Sequence, residues 1–150
     1  MKNSPDTQRI LLDTSFLLPS LGIEVEKGVM DTLRKLEPTE NELVYSDWSL
    51  LESNWIAVRQ MRKGIFNESV FRRGLLSITR TGYYTGVTSK AEDYLMALTF
   101  VQDGHPDMID NLLYATALRR GYSFLTIDRD LQDFVTRNNV QNVLLTPDDI

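Results

Sequence analysis

The feature that most constrains the fold is the alternation of short apolar runs with longer amphipathic stretches. The apolar runs are 9–13 (RILLD), 42–46 (ELVYS), 122–127 (YSFLTI) and 142–146 (NVLLT). Continuous apolar runs of this length are typical of strands that are buried on both faces of a sheet. Strands separated by helices need crossover connections, which make the strands parallel and cover the sheet with helices. The sequence therefore predicts a three-layer α/β/α fold with a central, mainly parallel sheet of four to five strands.

The stretches between these runs have the apolar spacing and end signals of helices. The predicted helices cover residues 24–37, 47–64, 65–79, 88–104 and 105–121. Asp47 is the expected N-cap of the second helix, and Thr88 is the expected N-cap of the fourth. Gly121 is the expected end of the fifth helix, whereas Gly74 weakens the third.

Chain length and composition exclude several classes of protein. The chain has 150 residues, no cysteine and a single histidine, His105, so we expect one domain over 1–150 and no thiolate or multi-histidine metal site. The start MKNSPDTQ has no apolar core, and no apolar run approaches the roughly 20 residues that span a bilayer. We therefore expect a cytoplasmic protein with neither a secretory leader nor a membrane span.

Several acidic residues are expected to meet at one edge of this sheet. Asp13 ends the first apolar run, and a lone carboxylate with apolar neighbours is costly to bury. Asp128 follows the third run, and the carboxyl ends of parallel strands lie at the same edge. Asp110 begins the helix before that run, and Glu52 lies early in the helix that leaves the second run. Both can therefore reach the same edge.

Each of these acids also has an ordinary structural interpretation. Asp107 is expected to be an N-cap rather than a ligand, and Asp128 is an equally reasonable N-cap. Asp110 and Asp130 suit the first turn of a helix, and Glu52 can be a solvated helix residue. Together, however, carboxylates at one edge repel one another, and a divalent cation relieves that repulsion. Oxygen ligands favour Mg²⁺ or Mn²⁺ over Zn²⁺, and the natural chemistry of such a site is phosphodiester hydrolysis.

Four motifs resemble those of the PIN domain, the nuclease fold of VapC-type toxins in toxin–antitoxin pairs. They are LLDTSFLL (11–18), LLES (50–53), DNLLYATALRRG (110–121) and FLTIDRDL (124–131). The resemblance covers nearly the whole chain in the right order, although residues 64–90 match no motif.

The resemblance implies a Mg²⁺- or Mn²⁺-dependent endoribonuclease, the toxin of a type II pair. The matching acidic catalytic residues are Asp13, Glu52, Asp110 and Asp128, of which the three aspartates would hold the metal. The matching auxiliary residues are Thr14, Thr126 and Asp130. The resemblance also implies an RNA substrate, a homodimer and a cognate antitoxin that blocks the site, encoded by a small neighbouring gene.

The charge distribution bears on RNA binding. The net charge of −5 argues against nucleic acid as a partner, but residues 56–80 contain six basic residues and one acidic residue, a local charge of +5. The candidates to hold the RNA backbone are Arg59, Arg62, Lys63, Arg72 and Arg73. A solvated helix face is the alternative for each of them. Trp48 and Trp55 are expected to make core or dimer contacts rather than to stack on bases.

Three other classes of function are weaker matches to these residues. A haloacid dehalogenase phosphatase needs a second Asp two residues after Asp13, where this chain has Ser15. A receiver domain needs an acidic pair at the first strand and a Lys after the last strand, and the chain has neither. A PIN-like module that binds RNA or protein without cleavage stays open, as do the RNA target and the host.

Overall fold

The strand that ends at Asp13 forms the centre of the sheet. The computed structural model describes residues 7–150, which form a five-stranded sheet in the order β3-β2-β1-β4-β5 with every pair parallel. The strands are β1 (Arg9–Leu12), β2 (Glu42–Ser46), β3 (Tyr84–Val87), β4 (Ser123–Leu125) and β5 (Leu144–Leu145). The predicted three-layer fold with a mainly parallel sheet is confirmed. The expectation of no secretory leader rests on a segment whose first six residues lie outside the described part of the chain.

Within the described residues, six helices cover the sheet. They are α1 (Lys27–Leu36), α2 (Asp47–Arg62), α3 (Glu68–Arg80), α4 (Ala91–Gln102), α5 (Met108–Arg120) and α6 (Arg129–Arg137). Within residues 7–150, each of these helices is too short or too polar to traverse a lipid bilayer. The sequence predicted the positions of α1 to α5 to within a few residues. The sixth helix, α6, begins directly after Asp128.

Alternate residues of β1 belong to two different cores, which is why this strand is apolar throughout. Ile10 and Leu12 pack in the core beneath α1, α3 and the turns at 14–21. Leu11 packs in the opposite core, beneath α4, α5 and α6. The sheet is therefore buried on both faces, as parallel sheets are.

The connections reverse direction at β1. The chain leaves β1 through α1 to β2 on one side and returns to β4 on the other side. In sheets of this kind, the two crossovers diverge and leave a crevice beyond the carboxyl ends of the two strands. The residues that follow β1 and β4 therefore line the crevice where such folds bind ligands.

Two helix caps differ from prediction. Ser46, rather than Asp47, is the N-cap of α2, and its Oγ accepts the Trp48 N–H at 3.2 Å. Because β2 runs directly into α2, the last strand residue takes the cap position and Asp47 becomes the first helical residue. Lys90, rather than Thr88, precedes α4, and its N–H donates to Asp93 Oδ2 at 2.8 Å.

The strand β3 was not predicted from the sequence. It lies at the edge of the sheet, within the segment 64–90 that matches no motif, and only Val87 in it is buried. Gly86 lowers the strand propensity of this segment. A larger residue would be crowded there, because a Cβ would lie 3.1 Å from the Tyr45 hydroxyl oxygen. Edge exposure therefore removed the apolar signal that marks the other strands.

Gly74 also has a structural reason to interrupt a helix. A Cβ on Gly74 of α3 would lie 1.9 Å from the Ser20 carbonyl oxygen. Only glycine allows α3 to approach the turn at 18–21 this closely, so the local cost in helix propensity is offset by packing.

Candidate acidic site at the carboxyl edge of the sheet

Asp13 lies at the carboxyl end of β1 and is held from two sides. Its Oδ1 accepts the Thr14 N–H at 2.7 Å, and its Oδ2 accepts the Thr126 hydroxyl at 2.6 Å. Its own N–H donates to the Leu125 carbonyl at 3.0 Å, which extends the pairing of β1 with β4. The side chain is buried, at 6% exposure. The acid that interrupts the apolar run is thus fixed in the crevice between β1 and β4.

Thr126 connects the first acid with the last one. This threonine is fully buried, and while its Oγ1 donates to Asp13 it accepts the Asp128 N–H at 3.0 Å. Asp128 is the N-cap of α6, and its Oδ1 accepts the Leu131 N–H at 3.1 Å. One hydroxyl therefore sets the positions of two acidic residues that are 115 positions apart in the chain.

Asp110 enters the site from the first turn of α5. Its N–H donates to Oδ1 of the exposed N-cap Asp107 at 3.1 Å, and its own side chain is 5% exposed. A hydrogen bond with Asp128 and the charges of Asp13 and Asp128 act on its carboxyl. Glu52 is half-buried on α2, and its charge acts on Asp13.

The remaining auxiliary residues differ in position. Thr14 is buried beside Asp13, and its Oγ1 has no hydrogen-bond partner in the structure. Asp130 is exposed on the first turn of α6 and is not among the groups that shift the pKa of Asp13 or Asp110. The structure therefore brings together the four acids predicted as a set and leaves Asp130 at the surface.

The electrostatics of the site are dominated by carboxyl groups that have no basic partner. Burial raises the pKa of Asp13 to about 6, with further upward contributions from Glu52 and Asp128, against the two hydrogen bonds that lower it. Burial also raises the pKa of Asp110 well above its ordinary value, and the Asp13 charge adds to this effect. Among residues 7–150, none of the ion pairs includes any of the four acids. Such a site favours the binding of a cation.

The donor set is suited to a hard, partly hydrated cation. In the described part of the chain, no group of three or more Asp, Glu, His or Cys side chains is placed so that it could hold a metal ion. The converging groups are all carboxylates and hydroxyls, and the unpartnered Thr14 Oγ1 lies next to Asp13. Mg²⁺ is commonly bound through one or two carboxylates while it keeps several waters, so this set fits it.

An apolar groove borders the acidic site. Its volume is about 600 Å³, and it is lined by Glu52 and Asp107 together with apolar side chains. The main apolar residues are Trp48, Leu51, Trp55, Tyr94, Leu98 and Met108. Trp48 is anchored by a 3.1 Å hydrogen bond from its Nε1 to Ser89 Oγ, whereas Trp55 is 49% exposed. The sequence pointed to the two tryptophans but not to the α4 side of the groove, because these residues meet only in the tertiary structure.

The basic residues predicted to bind RNA lie on two helices. Arg59 and Arg62 belong to α2 and Lys63 follows its last residue, whereas Arg72 and Arg73 belong to α3. All five of them, Arg59, Arg62, Lys63, Arg72 and Arg73, are exposed. Arg72 pairs with Glu68 one turn earlier, at 2.8 Å. The solvated helix face and the backbone-binding surface are therefore both compatible with their positions.

Comparison with known proteins supports the fold. No protein-family model and no curated protein matches the chain. A toxin–antitoxin complex from Klebsiella pneumoniae matches with a TM-score of 0.58 and 14% identity, over 94% of this chain and 99% of that one. FitAcB from Neisseria gonorrhoeae matches with a TM-score of 0.64 and 13% identity, over 94% and 99% of the two chains.

A third solved structure is described by the reaction of its protein. VapC20 from Mycobacterium tuberculosis, a toxin that cleaves the sarcin–ricin loop, matches with a TM-score of 0.62 and 16% identity, over 83% of this chain and 93% of that one. At this level of identity the likeness shows a shared fold. The predicted resemblance to the PIN-like toxins is confirmed at the level of the fold.

The raised pKa of Asp110 predicts that Asp110→Asn stabilises the protein in the presence of a chelator. The pKa of Asp110 in the folded protein exceeds the ordinary value of 3.8. Above that pH the unfolded chain releases the proton more readily than the folded protein, so the wild type loses stability as pH rises. The Asp110→Asn variant has no carboxyl at this position and does not lose stability in this way. At neutral pH we expect a Tm increase of about 2–4 °C, the shift that roughly 1 kcal/mol gives in a chain of this size. Thermal unfolding measured by circular dichroism from pH 3.5 to pH 8 checks this.

The control is Asp133→Asn, which changes an exposed acid on α6. Its Tm should equal that of the wild type across this pH range. A lower Tm for Asp110→Asn at neutral pH would contradict the assignment of Asp110 as an uncompensated buried acid.

Proposed function

We propose that the chain is a metal-dependent endoribonuclease and the toxin of a type II toxin–antitoxin pair, active in the cytoplasm. The observation that carries this proposal is the convergence of four acids without a basic partner at the crevice between β1 and β4. The fold supports it, because similar structures include toxin–antitoxin complexes and a toxin that cleaves the sarcin–ricin loop.

The proposed metal ligands are Asp13, Asp110 and Asp128, and the ion is Mg²⁺ or Mn²⁺. When bound, such an ion polarises phosphate oxygens and lowers the pKa of an attacking water. Glu52 is less buried than Asp13 and Asp110, so it can orient that water from the solvent side. Thr126 keeps Asp13 and Asp128 in a fixed relation, because its hydroxyl bonds to both residues.

A second candidate function is RNA or protein binding without cleavage. It is favoured by the finding that, in residues 7–150, no group of three or more Asp, Glu, His or Cys side chains is placed so that it could hold a metal ion. The two functions differ in one observable, which is the metal-dependent appearance of cut RNA ends.

The first test is cleavage of total RNA by the purified protein with Mn²⁺ or Mg²⁺. We expect discrete fragments that disappear with EDTA, because the carboxylates act through the ion. Asp13→Asn should lower the rate by more than about 100-fold, beyond the losses that changes outside the ligand shell usually cause. Sequencing of the fragment ends then identifies the target, with the sarcin–ricin loop as one candidate.

The matched control for this test is Asp133→Asn, an exposed acid of α6 that does not reach the crevice. It should cleave like the wild type. If folded wild-type protein binds RNA but leaves it intact at every metal concentration, the binding function replaces the nuclease. Full activity of Asp13→Asn would remove Asp13 from the site.

The exposed basic residues are proposed to hold the RNA backbone. We expect Arg59→Gln combined with Arg62→Gln, in an Asp13→Asn background, to weaken RNA binding at all sequences. Each lost phosphate contact lowers the slope of log affinity against log salt concentration by about 0.7 for a single strand. Filter binding at several salt concentrations measures that slope.

The control for RNA binding removes two other exposed cations, Arg34 and Lys35. They lie near the end of α1, which is followed by the start of β2, so they are at the opposite edge of the sheet from the acids. Their replacement by Gln should leave the slope unchanged. Equal effects of both pairs would show that binding follows net charge and not the α2 surface.

The proposed partners are a second copy of the chain and an antitoxin. Soluble monomers rarely expose large continuous apolar patches, but α4 exposes Leu95 at 65% and Leu98 at 53%, and α2 exposes Trp55 at 49%. We assign the outer face of α4 to the homodimer and the groove beside Glu52 to an antitoxin segment that would cover the acidic site.

Light scattering tests both partners. The chain alone should have twice the mass of one copy. Leu95→Glu should be monomeric, whereas Ile65→Glu, which changes a residue of 64% exposure, should stay dimeric.

The product of a small adjacent gene should form a complex and stop RNA cleavage, and Trp55→Glu should weaken that complex. A wild-type monomer would contradict the dimer, and continued cleavage in the complex would contradict the antitoxin.

A further inference from the structure

A buried polar pair includes Asn111, the residue that directly follows Asp110. His105 is 4% exposed and Asn111 is fully buried. The His105 Nδ1 lies 2.7 Å from Asn111 Oδ1, and Asn111 Nδ2 donates to the His105 carbonyl at 2.8 Å. The two residues therefore bond to each other twice, across six positions of the chain.

The direction of these hydrogen bonds follows from the chemistry of the amide. Asn111 Nδ2 faces two carbonyl oxygens, those of His105 at 2.8 Å and of Ala97 at 3.5 Å. Carbonyls only accept, so the amide nitrogen must face them and Oδ1 must face the imidazole. Because Oδ1 also only accepts, the His105 Nδ1 carries the proton and donates it.

The pair connects three helices. The His105 N–H donates to the Phe100 carbonyl at the end of α4, at 3.0 Å. The His105 ring packs against Phe134 of α6, with ring centroids 5.3 Å apart. Asn111 belongs to the first turn of α5. The helices α5 and α6 are the two that carry Asp110 and Asp128.

The position of Asn111 in the helix fixes the direction of Asp110. Successive residues of an α-helix are rotated by about 100°, so a side chain anchored at 111 sets the azimuth of its neighbour at 110. Asp110 needs such an anchor, because its side chain is only 5% exposed and a carboxyl without a basic partner is better solvated at the surface. The hydrogen bond from the Asp110 N–H to Asp107 Oδ1 holds the backbone of this turn but does not join it to α4.

We propose that His105 and Asn111 are positioning residues that hold Asp110 against Asp13 and Asp128 and thereby set the affinity of the site for a divalent cation. The pair touches none of the four acids through its side chains, so it acts through the first turn of α5. This inference rests on the proposed metal-dependent function. Outer-shell partners of metal ligands typically account for 10–100-fold in affinity.

Two replacements of His105 separate its hydrogen bond from its packing. His105→Phe keeps a ring against Phe134 and removes the donor to Asn111. His105→Asn removes the ring and puts an amide nitrogen close to the position of Nδ1. The control is Arg119→Gln, which removes the 2.6 Å ion pair with Asp93 between α4 and α5. Arg119 is nine residues from Asp110, or about 13 Å along the helix.

The experiment measures the Tm of each full-length variant as Mn²⁺ alone is added, with cleavage of RNA as a second readout. We expect His105→Phe to need about 10-fold more Mn²⁺ for half of the Tm increase, and His105→Asn to recover most of this loss. Arg119→Gln should lower the Tm without metal and leave the half-saturating concentration unchanged. If His105→Phe does not fold, His105→Gln takes its place in the experiment. The Gln amide nitrogen lies near the position of Nε2 and not of Nδ1, so this variant also lacks the donor to Asn111 and should need about 10-fold more Mn²⁺.

The possible results separate this inference from the proposed function. A wild type that does not respond to Mn²⁺ overturns the metal site and the inference with it. A wild type that responds together with an unshifted His105→Phe overturns the inference alone, because the pair then stabilises the fold and nothing more. A loss in His105→Phe that His105→Asn does not restore overturns the role of the hydrogen bond.

Discussion

The structure depends on one buried carboxylate, Asp13, at the end of its central strand. Burial of a charge without a partner is costly, and the usual remedy is an Arg or Lys beside it. Here the two oxygens of Asp13 are held instead by a backbone N–H and by the Thr126 hydroxyl. Those bonds offset only part of the cost, because the pKa of Asp13 is still raised to about 6. The site therefore keeps a deficit of positive charge at the point where the connections of the sheet diverge.

Helix N-termini make this arrangement tolerable. Asp13 is the N-cap of the short turn at 14–16, Asp128 is the N-cap of α6, and Asp110 is in the first turn of α5. The first N–H groups of each helix carry partial positive charge and lack internal partners, so they stabilise nearby carboxylates. The same residues thus start helices and form the acidic site. This explains why Asp128 alone could be interpreted as an ordinary cap and Asp110 as an ordinary first-turn acid, and why their common location with Asp13 distinguishes them.

The sequence predicted those parts of the molecule that depend on local pattern and on sheet geometry. The apolar runs located β1, β2, β4 and β5, and the rule that parallel strands end at one edge brought Asp13 and Asp128 together. The edge strand β3 was missed because its residues are largely exposed. The bonds of His105 and Asn111 were also missed, since a single histidine in a loop gives no sign of its partner. The groove beside Glu52 joins α2 to α4 and α5, and no motif in the sequence connects these helices.

Whether such a site can bind an ion depends on the free lone pairs of its carboxylates. A carboxylate has about four acceptor positions, and the two hydrogen bonds of Asp13 occupy two of them. In the proposed site, the remaining positions and the carboxyls of Asp110 and Asp128 would bind an ion that keeps part of its water. A small rotation of Asp110 would take it out of this set, because the ligands come from three separate elements and share no direct covalent restraint. The proposed function therefore depends on the relative placement of β1, α5 and the start of α6, which the Thr126 hydroxyl and, in our proposal, the packing around His105 constrain. A likeness of fold at 13–16% identity leaves the chemistry of the site undetermined, so the proposed metal site depends on the side chains that place these three elements.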